Sequence, residues 1–79
     1  MNETELNKLV SIFQDTFGID DIETITNLSR DNFVKWDSLA VVSMIATISS
    51  KFSVEIEPKD FEMFTSFKKI EQLLKDKGI

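Results

Sequence analysis

The pairing in this chain that comes nearest to chemistry is Asp37-Ser38, a serine directly after an aspartate. A serine nucleophile needs a base to take its proton and usually a third group to orient that base. The chain has no histidine and no cysteine, so only Lys35 or a carboxylate could serve. Without cysteine it cannot build a thiolate, a zinc cluster or a disulfide. Asp20-Asp21 and Glu23 lack the alternating oxygen ligands and the glycine of a calcium loop. The two glycines, at 18 and 78, form no phosphate cradle. The expectation is therefore a protein that is not an enzyme, with no catalytic residue and no metal site of its own. Asp37-Ser38 then has two readings. It is a helix cap, with Asp37 accepting from the first exposed amides, or it is a place where chemistry is attached.

The elements that would position this pair follow from periodicity. Leu6, Leu9, Val10, Phe13 and Phe17 recur at three- and four-residue spacing, with Asn2 and Glu5 placed as a capping pair and Gly18 as a stop. An amphipathic helix over residues 3 to 17 is predicted. From Gly18 to Val34 no long period survives, and Ile19, Ile22, Ile25, Leu28 and Phe33 are expected to anchor a long loop on the rest, with a helical turn near Asp20 to Thr24. The stretch lacks the Gly/Ser/Pro enrichment of a linker.

Ser38 opens the most apolar segment, which runs to Phe52 with no charge between Leu39 and Ser50. Leu39, Val42, Ala46 and Ser49 form one stripe, and Val41, Met44, Ile45 and Ile48 widen it over most of the circumference. Its β-branched residues make a buried strand a competing reading, but the length favours a helix. Such a helix lies centrally or leaves apolar surface for a partner. Pro58, the only proline, is expected to begin a short helical piece to Phe64, with Phe61 and Phe64 inward. Thr65 or Ser66 caps a last helix whose stripe is Phe67, Ile70, Leu73 and Leu74. The fold class read from this layout is all-α: a small four-helix bundle, three main helices plus one short one, with a long loop between the first and second helices.

With 79 residues the chain has room for one domain, spanning 1 to 79, and one core. Its 14 acids against 9 bases give a net charge of -5. The excess lies in residues 1 to 34, where seven acids face only Lys8 and Arg30. Such a surface repels phosphate backbones and anionic lipid, so no nucleic acid and no membrane insertion are expected. It suits partners with basic surfaces, or it only keeps a small protein in solution. The acidic start, Met1-Asn2-Glu3-Thr4-Glu5, is unlike a secretory signal, and no apolar run approaches a membrane span. A cytoplasmic monomer is expected.

From Trp36 to Leu74 the chain resembles the acyl carrier protein family. The match comprises Asp37-Ser38-Leu39, the apolar helix ending at Lys51-Phe52, the Val54-Glu55-Ile56 step, Asp60 in a short segment, and Thr65-Ser66-Phe67 leading into Ile70 and Leu73-Leu74. The resemblance implies that Ser38 receives 4'-phosphopantetheine from coenzyme A through a separate phosphopantetheinyl transferase. The arm would then carry acyl groups as thioesters between loading, acyltransferase or synthase enzymes. Peptidyl or aminoacyl cargo, as in D-alanyl carriers, and a helical adaptor that no longer carries anything are the alternatives. Asp37, Leu39 and Trp36 would flank the attachment and contribute to its recognition. The resemblance also implies that Leu39 anchors the helix start in the core, where truncation to alanine costs about 2–5 kcal/mol.

Trp36 reads as an aromatic pin for the loop end or as a contact for partner enzymes. The phenylalanines read as plain core or as the lining of an acyl pocket. Where the family's second helix commonly displays acids, this chain has Ala40, Ser43 and Thr47. Partners are therefore expected to read apolar surface around Val41 and Met44, or acids of the first loop. With Lys35-Trp36 before the motif, this points to a stand-alone carrier of a specialised pathway.

Overall fold

In α1, Glu3–Phe17, the Asn2 side chain accepts from the Glu5 amide while the Glu5 carboxylate accepts from the Asn2 amide. This reciprocal cap satisfies two of the donors a helix start leaves free. Gly18 ends the helix in the left-handed region at φ 69, where a Cβ would be strained. The computed structural model describes all 79 residues.

The expected loop carries more structure than its sequence pattern announces. A one-turn helix α2, Ile22–Thr26, is capped by Asp21, and a 3₁₀ turn follows at Arg30–Asn32. Ile25 and Leu28 are buried and Ile19 and Phe33 pack at the margin. Ile22 instead faces solvent, because one short turn can direct only one side to the core. The loop is also clipped to the start of the last helix. The Arg30 amide donates to Thr65 O (2.8 Å) and the Phe67 amide donates to Leu28 O (3.0 Å), around an antiparallel bridge between Ser29 and Ser66.

The apolar segment is a helix, α3, Ser38–Phe52, ending at Ser53 in the left-handed region. It packs against α1, burying Met44 and Ile48 completely. This corrects the expected stripe. Leu39 is 78% and Val42 62% exposed, and Ala46 is also outward. A helix apolar around most of its circumference gives no preferred face, so contact with α1 decides it.

Pro58 begins a helical piece as expected, but it is a 3₁₀ turn, Pro58–Met63, the geometry that short isolated turns adopt. The Asp60 carboxylate accepts from the Glu57 amide to hold it closed. Phe64 is buried, whereas Phe61 is 47% exposed, a second correction. In α4, Phe67–Asp76, the Ser66 hydroxyl accepts from the Lys69 amide and Phe67, Ile70, Leu73 and Leu74 are all buried. The core is one cluster drawn from every helix, and α4 packs against α2 and the Pro58–Met63 turn. The result is an all-helical bundle with no strand.

Candidate functional site

Asp37 and Ser38 meet solvent at the start of α3. Asp37 has extended backbone at φ -113 and ψ -177, its carboxylate accepts from the Ala40 amide (2.9 Å), and its carbonyl accepts from the Val41 amide (3.0 Å). The cap reading of Asp37 is correct. Its carboxylate is turned toward the helix backbone, so it is not placed as a base for the neighbouring hydroxyl. Ser38 is the first helical residue and is exposed.

Trp36 fixes where this pair sits. Only 3% exposed, it stacks on Phe17 at 5.5 Å, presents an edge to Phe13 at 5.6 Å, and donates from Nε1 to Phe64 O at 3.1 Å. The indole N–H is thus satisfied as it is buried. Residues far apart in sequence hold the motif from behind, as the pin reading expects. Leu39, by contrast, does not enter the core: it stands beside Ser38 on the outer surface, and its expected anchoring role is overturned.

Ser38 borders an open groove of about 560 Å³. Its floor is apolar, made by Trp36, Val41, Val42, Ile45, Phe61 and Phe64, with Arg30 and Asp37 as its only charged residues. Ser38 is the one serine on it. On the other flank of the motif a separate hollow is bordered by Lys35, Asp37, Leu39 and Ala40. Sequence reading missed Arg30, Val42 and Phe61 as site residues. The signal for Arg30 was present, since it and Lys8 are the only cations in the first 34 residues. Phe61 had no signal, because an aromatic in a short turn is assigned to the core by default.

An ion pair at the residue next to Phe61 holds the turn that carries it. Lys77 Nζ lies 2.9 Å from the Asp60 carboxylate. The hydrogen bond from Lys77, then that from the Glu57 amide, holds the Asp60 carboxyl below its usual range, and the same bond to Asp60 raises Lys77. The Pro58–Met63 turn is thereby tied to the chain's last residues. The Met44 surface expected to meet partners is fully buried, while Val41 is only partly so and lines the groove. Asp20, Asp21 and Glu23 of the first loop are exposed, and Asp21 is engaged as the cap of α2. No group of three or more metal-ligating side chains comes together, and no helix is long and apolar enough to cross a membrane.

An exposed hydroxyl at a helix start, beside an apolar groove with a cation at its rim, has the donor set for a phosphate-linked, partly apolar group. The residues present fit such a group. No curated protein and no solved structure matches the chain. A family model described as "phosphopantetheine attachment site" does match, over residues 7–74. That span runs from α1 through Ser38 and the groove to the end of the buried stripe of α4, and the family holds 4'-phosphopantetheine covalently on a serine. The chain belongs to the phosphopantetheine attachment family of carrier domains.

Proposed function

We propose that Ser38 is the attachment serine and that the protein carries an acyl group between enzymes of a specialised biosynthetic pathway. The observation that carries this is the joining of an exposed Ser38 hydroxyl to the apolar groove. In loading by a transferase, Ser38 Oγ gives up its proton and forms the bond to phosphorus as the nucleotide half of coenzyme A leaves. Once bound, the arm supplies the thiol that this cysteine-free chain lacks. Asp37 holds the helix start that presents Ser38, Trp36 fixes that start to the bundle, and Leu39 offers the transferase an exposed apolar contact.

The groove favours acyl over aminoacyl cargo. Beside its single carboxylate, that of Asp37, the groove also carries the Arg30 cation, so it offers an ammonium no net negative charge. Apolar cargo gains instead from Val42, Ile45 and Phe61, at about 25 cal/mol per Å² removed from water. Partner enzymes would meet an uncharged face, Leu39 and Val42, in place of acids. We place the protein in the cytoplasm as a monomer.

Incubation with coenzyme A, magnesium and a broad-range transferase should add one phosphopantetheine by intact mass, and Ser38→Ala should abolish it. An unchanged wild-type mass with several active transferases refutes the attachment. Cargo is read by loading the arm with an eight-carbon acyl or an aminoacyl thioester. The acyl form should raise Tm above the free-thiol form, and the aminoacyl form should not. The reverse order would favour an aminoacyl carrier.

A further inference from the structure

We propose that the Arg30 guanidinium is the counter-ion of the phosphodiester that Ser38 carries in the loaded protein, so that Arg30 is a positioning residue for the arm. This rests on Ser38 being the attachment serine. Arg30 does not belong to α3 or to the motif. Its backbone is set by the clip to α4, through the Arg30 amide on Thr65 O (2.8 Å) and the neighbouring Ser29–Ser66 bridge. From that fixed base Arg30 borders the same groove as Ser38. It is exposed and takes part in none of the three ion pairs of the protein, Lys59–Glu57, Lys75–Glu71 and Lys77–Asp60.

The charges of the groove make the assignment specific. A phosphodiester on Ser38 places a negative charge next to Asp37, and like charges that close oppose one another unless a cation joins them. Arg30 is the only cation on the groove. Lys35 is nearer in sequence, but it borders the hollow on the other flank with Leu39 and Ala40. Arginine also suits the task, because its planar fork of donors matches two phosphate oxygens at once. Holding the first atoms of the arm at the groove's rim would lay the rest of the arm over Trp36 and Phe64 and away from open solvent.

The test uses the loaded protein with a free thiol, its single modification at Ser38 verified by intact mass, and tracks the ³¹P resonance. In wild type this resonance should shift between low salt and about 1 M salt, where the Debye length is about 3 Å. Arg30→Gln should resonate at low salt where wild type does at high salt, with the salt response lost. Arg30→Lys should restore part of it, and Lys35→Gln should behave as wild type. Matching far-UV circular dichroism of the variants shows that the fold is retained. A ³¹P position and salt response unchanged in Arg30→Gln overturn the proposal alone. So does an Arg30 effect that is absent with the free thiol and arises only with a carboxylate-bearing cargo such as a malonyl group. Failure of Ser38 to gain the mass overturns the attachment reading, and this one with it.

Discussion

Trp36 and Leu39 stand three residues apart and do opposite things. Trp36 is buried among Phe13, Phe17 and the Phe64 carbonyl, so its removal leaves a large cavity and an unpaired acceptor. Trp36→Ala should cost about 3–5 kcal/mol, much of the roughly 4–12 kcal/mol that a domain of this size has. Leu39 has little contact to lose, and Leu39→Ala should change stability by no more than about 0.5 kcal/mol. Urea denaturation of the unloaded protein, comparing midpoints at equal m-value, measures both. Loading rate should show the reverse order for Leu39, with a slower transferase reaction on an intact fold. A destabilisation by Leu39→Ala of about 2 kcal/mol or more, the range of a buried leucine, would mean that the side chain is not outward in solution.

At the scale of elements, α3 serves two surfaces with one apolar sequence. Met44 and Ile48 are buried where α3 packs on α1, Val42 faces outward on the groove, and Leu39 faces outward on the other flank of the motif. No acidic residue lies in its first turn, so recognition here should depend on apolar contact more than on charge. Val42→Asp should leave the far-UV circular dichroism unchanged. It should lower kcat/KM for the enzyme that loads or unloads the cargo about tenfold, near the 1.4 kcal/mol that one well-placed interface contact contributes. The wild-type rate should fall little as salt rises from low to physiological strength, whereas charge-steered association falls steeply. A strong salt dependence with no effect of Val42→Asp would place docking on the first-loop acids instead.

For the whole molecule, the Asp60–Lys77 pair joins the turn that carries Phe61 to the end of the chain. The Asp60 carboxyl lies below its ordinary 3.8 in the folded state. Its contribution is therefore present above about 3.8 and is lost as pH falls through the folded value. Lys77 lies above its ordinary 10.5, so its contribution is present below 10.5 and fades only as pH rises through the folded value. Asp60→Asn should lower Tm at pH 7, and the gap to wild type should close as pH falls below about 3.8. A thermal melt series from about pH 2 to 8 measures this; a constant gap across that range would show that the pair is not coupled to folding. The pair also illustrates what a one-dimensional reading lacks, since residues 17 apart in sequence meet here without any periodic pattern to announce it. Local signals sufficed for α1, α3 and α4. The Asn2–Glu5 box, Gly18, the caps at Asp37 and Ser66 and the 3.6-residue stripes of α1 and α4 are interactions among near neighbours, written within a few residues of one another. Ser38 was singled out instead by the resemblance of residues 36 to 74 to a family pattern. Which face of α3 turns inward, whether Leu39 and Phe61 are buried, and that Arg30 shares a groove with Ser38 are different in kind. They depend on contacts between segments that an apolar pattern of near-uniform strength around α3 cannot rank, so packing against α1 and the clip between residues 28–30 and 65–67 decided them.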